Sequence, residues 1–282
     1  MNSSYGDKKN GGGIASKNGA LQHIGLLLLS EFHRICIRND IEYIIFAGTL
    51  LGSIRTDSWI EWDDDIDVAM TRCQFEKLVA NSPQFSDSYK LVPPEVSQHL
   101  HEIARLEYVN SRFGVDGSCV SLDIFILDHS PNNFVIRNLW ACCCVLLRLL
   151  RTSKDVNPTD GFGSRAVAFA ILRMASSMRP QEYWHRLYSK ISRIPAQRNA
   201  HFSITTLPLN LARRKIPESA VFPTKTLRFE NINVLGPNNS DFLLKMHYGV
   251  DYLQPPPIDK RVSPHIKSSL SALIDGTWMD FS

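Results

Sequence analysis

The sequence predicts an α/β (α+β) fold in which a mixed sheet is flanked by helices and the second half of the chain is largely helical. Three patterns carry that expectation: a helix, strand, turn, helix succession over residues 21–54; two short apolar strands interrupted by aspartates; and helical periodicity through most of 133–190. Leu21 to Ile37, LQHIGLLLLSEFHRICI, repeats apolar residues at helical spacing and stops at Asn39-Asp40. Glu42 to Ala47, EYIIFA, is β-branched and aromatic, and Gly48-Thr49 then opens a second helix through TLLGSI. Thr56 to Trp62 has no period and reads as a loop. In DIDVAM, Asp65 to Met70, strand alternation places Asp65 and Asp67 on one face and Ile66 and Val68 on the other. Cys73 to Ala80 reads as a helix and Ile103 to Val109 as extended chain. CVSLDIFIL, Cys119 to Leu127, puts Val120, Leu122, Ile124 and Ile126 on one face and Ser121, Asp123 and Phe125 on the other. Thr226 to Val234 suggests a hairpin around Glu230-Asn231, Asp241 to Tyr248 a helix, and Pro255 to Pro257 a rigid stop. With no internal repeat and no linker, residues 21–282 read as a single domain behind a polar, glycine-rich tail over 1–20, expected to be flexible.

A chain of 282 residues with 44% apolar content can build a substantial core. The net charge of +3, from 31 basic and 28 acidic side chains, supplies no global basic field, so nucleic acid is not an expected partner. The six cysteines, at 36, 73, 119 and 142–144, form no CxxC pair and no zinc-finger spacing. They are expected as reduced thiols in a reducing compartment, the adjacent three as small buried hydrophobes. The first residues lack the apolar stretch of a secretory signal. Leu139 to Leu147 is the longest apolar run, well short of the roughly 20 residues that span a bilayer, so no membrane span is expected. Peripheral membrane contact through Leu139 to Arg151 is compatible with the pattern, a buried amphipathic helix being the commoner arrangement. Nothing in the pattern specifies an oligomeric state.

WDDDID, Trp62 to Asp67, packs four carboxylates into five positions. Such neighbours repel and raise one another's pKa unless a hard divalent cation neutralises them. An acidic surface turn is the plain alternative, but the flanking Trp62, Ile66, Val68 and Met70 favour a site built into a strand. A calcium loop fits Asp63, Asp65 and Asp67 and then fails, because its turn glycine falls on Val68 and its bidentate glutamate on Gln74. What remains is a Mg2+ (or Mn2+) site of the phosphoryl-transfer kind, with metal candidates Asp63, Asp65 and Asp67 and with Asp123 as a third arm brought in on a neighbouring strand. Asp123 can equally be a hydrogen-bonded core aspartate. A strand-to-helix turn at Gly48 and Thr49, followed by Gly52 and Arg55, can seat a donor phosphate; Arg55 is either its counter-charge or a salt-bridge partner of the aspartates. His101 and His265 are the histidines to watch, each expected to be structural or exposed. GxGxxG, Walker A, HExxH and GxSxG patterns are missing.

The stretch GTLLGSIRTDSWIEWDDDIDVAM, Gly48 to Met70, resembles the signature of the LicD family, which includes bacterial phosphocholine transferases and is related to the fukutin proteins. SLDIFILD, from Ser121, is similar to its second motif, and FPTKTLRFENINVLGPNN followed by HYGVDYLQPPPIDKR is similar to its C-terminal signature, so the resemblance covers roughly 21–265. It implies a nucleotidyltransferase-like fold and transfer of a phospho-substituent, phosphocholine-like or an alditol phosphate, from a CDP-linked donor to a sugar of a surface glycan such as lipopolysaccharide or capsule. Carried over, the glycine-threonine opening falls on Gly48 and Thr49, the metal aspartates on Asp65 and Asp67 with Asp63 beside them, and the third, catalytic carboxylate on Asp123. The family's usual loop is replaced by Arg55-Thr56-Asp57-Ser58, and its usual proline before the tryptophan by Glu61. The zinc cysteines and membrane anchor of the animal relatives have no counterpart, which suits a cytoplasmic bacterial enzyme, peripheral at most to the inner face of the membrane. Two other readings use the same residues: nucleotidyl transfer from an NTP with pyrophosphate release, and a non-catalytic nucleotide-sensing module. A choline group would call for an aromatic cage, for which Trp59, Trp62 and Phe125 are the candidates.

Overall fold

The computed structural model describes residues 16–94, 103–114, 117–152, 172–194, 201–261 and 269–281. Helix α1, Lys17–Arg38, starts four residues ahead of the expected Leu21 because the Ser16 hydroxyl caps it, accepting from the Gly19 N–H at 3.1 Å. Ala20 is already fully buried, so 16–20 belong to the domain and not to a tail. The apolar stripe Leu21, Ile24, Leu28, Phe32 and Ile35 lies across the sheet. The side chains of Asn18 and Gln22 donate to the carbonyls of Glu61 and Asp63, each at 2.9 Å, and so hold the loop that carries the acidic run.

The strands are β1 (Ile44–Ile45), β2 (Ile66–Thr71), β3 (Tyr89–Val92), β4 (Ala104–Phe113), β5 (Ser118–His129), β6 (His201–Ser203), β7 (Ile216–Pro217), β8 (Lys225–Phe229), β9 (Ile232–Gly236), β10 (Leu270–Ile274) and β11 (Thr277–Phe281). Among the described residues nine of them join one mixed sheet, with main order β1-β2-β5-β4-β10-β11, β3 added to β4 and β6-β7 to the end of β5. The β2-β5 pairing is parallel and the others are antiparallel. β5 alternates as expected from Cys119 to Ile124, then is buried on both faces through Asp128. Among the described residues between 134 and 192 helices dominate, as α4 (Phe134–Thr152) and α5 (Gln181–Ser192), but strands return from His201 onward, so the second half is not helical throughout. The sequence reading passed over β10-β11, which close on Asp275-Gly276, both at positive φ.

The β8-β9 hairpin stands apart from the main sheet and grips the 57–62 loop. Its tip residue, Glu230 (φ 53°), accepts from the Ser58 hydroxyl and from the Trp59 N–H at 3.2 Å, and its own N–H donates to the Asp57 carbonyl at 2.7 Å.

At the far ends of β2 and β5, Arg72 meets Asp128 with two parallel contacts, Nε–Oδ1 at 2.5 Å and Nη2–Oδ2 at 2.6 Å. Asp128 is 4% exposed, and Arg72 opens helix α3 (Arg72–Ala80), so this fork ties the turn out of β2 to the end of β5. Removing one partner leaves the other charged in the interior. Asp128→Ala is expected to lower the unfolding free energy by about 3 kcal/mol in urea titration; a loss below about 1 kcal/mol would show that the pair does not hold the strands together.

Helix α4 differs from the buried amphipathic helix that was expected. Trp140, Ala141, Cys144 and Leu147 pack against α5, and the Trp140 indole N–H donates to the Ile191 carbonyl at 2.8 Å. Cys142 and Cys143, expected to be buried, are exposed with much of the opposite apolar face, because about 100° per residue carries them off the packed side.

Candidate active site

The acidic cluster sits where β1 turns into helix α2 (Ala47–Thr56). The Phe46 N–H bonds the Asp67 carbonyl at 2.9 Å, the chain reverses at Ala47 (φ 41°), and the Gly48 N–H donates to the Asp67 carboxylate at the positive end of the helix. Thr49 is buried, and its hydroxyl accepts from the Asp67 N–H at 2.9 Å. Gly48 and Thr49 therefore seat Asp67 in the place where a donor phosphate was expected. A Cβ at Gly48 would overlap the Asp63 carboxylate, and one at Gly52 would overlap the Ser58 carbonyl, so both glycines permit a close approach of the acidic loop to α2.

The parallel register sets Asp67 beside Asp123, with Asp65 immediately before β2 and Asp63 in hydrogen-bond contact with Asp65. Burial, then repulsion from Asp65, pushes Asp63 up to about 8. Burial lifts Asp67 well above the carboxylate range, reinforced by Asp65, Asp123 and Asp63. Asp123 is also raised by burial, against the pull of Arg105, whose Nε lies 3.0 Å from Asp123 Oδ1 without the alignment of a hydrogen bond. Arg105 stands opposite Asp123 in the β4-β5 register.

An all-oxygen, anionic donor set of this kind suits a hard divalent cation, and Asp65, Asp67 and Asp123 are the residues that could hold one. Among the described residues no three carboxylate, histidine or cysteine groups are arranged as a ligand set around one point. Burial and the approach of Asp65 favour the protonated form of Asp63, which eases the repulsion within the cluster.

Beside Asp63 opens a cavity of about 350 Å³, lined by Arg55, Trp62, Asp63, Tyr248, Asp251 and Tyr252 among others. Among the described residues Arg55 forms no salt bridge with the aspartates; its Nη2 donates to the carbonyls of Tyr252 and, at 3.0 Å, Gln254. Of the three aromatic candidates, Trp62 lines the cavity, and the Arg261 guanidinium lies 5.2 Å from its ring centroid. Trp59 packs edge-on against Phe229 and Phe125 packs against Phe46, both as core contacts. Burial raises Tyr248, as does repulsion from Asp67, Asp63 and Asp65, which places it among the charges of the cluster. Sequence reasoning missed Tyr248, Tyr252 and Arg105. The two tyrosines flank the helix-stopping Gly249 in HYGVDY, a visible mark, whereas Arg105 becomes informative only through strand register. His101 and His265 lie outside the described residues.

The domain is thus of the α+β class, a mixed sheet with carboxylates gathered at the ends of two parallel strands, next to a helix N-terminus and an aromatic-lined cavity. Residues 40–140 match the family described as LicD/FKTN/FKRP, nucleotidyltransferase domain. That segment, which holds all four clustered aspartates and Asp123, is about a third of the chain and is where the similarity to the LicD family lies. It is 34% identical over 117 residues to the lipopolysaccharide cholinephosphotransferase LicD of Haemophilus influenzae, covering 39% of this chain and 44% of that protein. It is 29% identical over 112 residues to an uncharacterized protein of Rickettsia prowazekii, covering 40% and 36%. The chain thus spans less than half the length of these curated relatives, and the family match stops short of Tyr248 and the C-terminal motifs.

Asp63 titrates in the fold near 8 and in the unfolded chain near 3.9, so between those values folding takes up a proton. Its contribution to stability is full below about pH 4 and is lost as pH rises through 8. The cation-free protein is expected to melt at lower temperature at pH 8 than at pH 6, and Asp63→Asn to remove that slope; buried histidines act in the opposite sense, so the comparison is variant against parent. An unchanged slope would mean that Asp63 is ionised in the fold. For the glycines, Gly52→Ala meets backbone and is expected to cost about 1–3 kcal/mol in urea titration. Gly48→Ala meets a side chain that can swing away, so it should cost less while displacing Asp63 and flattening the same pH slope.

Proposed function

We propose that this chain is a phosphotransferase for substituted phosphate groups, which moves a phosphocholine-like substituent from a CDP-linked donor to a sugar hydroxyl of a cell-surface glycan. The observation that carries this reading is the pairing of Asp67 with Asp123 across parallel strands, with Asp63, itself in contact with Asp65, lining a cavity walled by Trp62, Tyr248 and Tyr252. The similarity over 117 residues to a lipopolysaccharide cholinephosphotransferase supports phosphocholine as the first group to test and lipopolysaccharide as the first acceptor. A cytoplasmic location belongs to the same reading.

When bound, Mg2+ or Mn2+ would neutralise the donor diphosphate, with Asp65, Asp67 and Asp123 holding it. Trp62 and the two tyrosines offer π faces to a quaternary ammonium head, and Asp63 gives the same cavity a negative side when it is ionised. The acceptor oxygen bonds to phosphorus while the phosphorus–oxygen bond to CMP breaks, and the hydroxyl proton passes to the Asp123 carboxylate. Burial raises that carboxylate toward a useful basicity, while Arg105 favours its ionised, proton-accepting form.

The test is incubation of purified protein with Mg2+, a panel of CDP-linked donors and a glycan extract, with CMP release as the readout. CDP-choline is expected to be turned over, with Asp65→Ala and Asp67→Ala each reducing kcat by at least about 10²-fold. Asp123→Asn should fall by about 10²–10⁴-fold, and near-normal turnover in that variant removes both of its assigned roles. Pyrophosphate release from an NTP would replace this reading with nucleotidyl transfer; nucleotide binding without turnover of any donor would replace it with a sensing module.

A further inference from the structure

We infer that the outward face of α4, together with the basic cluster beside its N-terminal end, docks this protein on an anionic phospholipid surface. Val135, Leu139, Cys142, Leu146 and Leu149 follow one another at helical spacing along one side of the helix, and all are exposed, Leu139 at 63% and Leu146 at 48%. Phe134 and Ile136 extend the stripe at its start, Phe134 at 70%. Globular surfaces rarely present so continuous an apolar stripe unless something covers it.

The occupant is specified by what borders the stripe. Phe134 and Asn138 share an open depression of about 400 Å³ with Arg213 and Arg214, and Arg137, Lys215 and Lys245 join these arginines around the adjoining one. Lys245 is paired with Asp241 at 2.8 Å, Arg214 donates to the Met246 carbonyl, and Arg137 donates to the Arg213 carbonyl. Arg213 and Lys215 meet no carboxylate among the described residues. An apolar strip continuous with uncompensated cations matches the interface of an anionic bilayer, where side chains enter the acyl boundary and cations meet phosphate. The helix does not cross the bilayer: Arg137, Arg148 and Arg151 are buried on its protein side, and no helix among the described residues is long and apolar enough to span a membrane. The inference rests on surface chemistry and stands apart from the reaction proposed above.

The experiment is co-sedimentation of the full chain with vesicles of phosphatidylglycerol and phosphatidylcholine, beside vesicles of phosphatidylcholine alone, at low and high ionic strength. The parent is expected to bind the anionic vesicles and to lose at least about tenfold in affinity at high salt. The double variants Leu139→Gln/Leu146→Gln and Arg213→Glu/Lys215→Glu should each bind at least about tenfold more weakly with unchanged melting temperature, since the altered side chains are surface groups. Absence of parent binding, or equal binding by both variants, overturns the proposal. So does a concentration-dependent dimer in light scattering that Leu139→Gln/Leu146→Gln dissolves without any vesicle binding, which would assign the face to a second copy.

Discussion

Two carboxylates side by side on parallel strands, inside a protein and with two more beside them, cannot all be ionised without compensation, and the architecture around β2 and β5 is organised by that constraint. Each neighbour answers part of it. The α2 N-terminus presents the Gly48 N–H to Asp67, Arg105 stands across the register from Asp123, and Asp63, beside Asp65, is pushed toward its neutral form. The loop itself is held through backbone carbonyls by Asn18 and Gln22, which leaves these two side chains off the acidic groups.

The same two strands show the opposite solution at their other ends. Arg72 and Asp128 form a closed fork whose charges satisfy one another, and such a pair is structural because nothing remains for a ligand to bind. The cluster at the near ends keeps surplus negative charge, which burial alone would oppose. A fold that retains this imbalance on strands rigid enough to be pinned at one end holds a charged site under tension in a fixed geometry.

Much of this was legible in the sequence because it is local. The strand-turn-helix at Gly48, the aspartates of DIDVAM, the alternation of β5 and the hairpin at Glu230 all lie within a few residues of their causes. The apolar surroundings of Asp123 even demanded a partner, but that this was Arg105 depended on which strand lay beside it and in what register, which periodicity does not encode. The carbonyl partners of Arg55 were not legible for the same reason: they arrive from nearly 200 residues away. The outward apolar face of α4 ran against expectation because the helix is apolar on both sides, and sequence alone does not say which side has a protein neighbour.

The β8-β9 hairpin holds the loop between α2 and the aspartates largely by main-chain contacts and by one carboxylate, that of Glu230. Thr56, Ser58 and Glu61, where the sequence departs from the pattern of the family it resembles, therefore lie in or beside a loop held by this hairpin. Such separation makes the arrangement modular: loop side chains outside the cavity lining can change while the hairpin keeps Trp62 and Asp63 at the cavity wall.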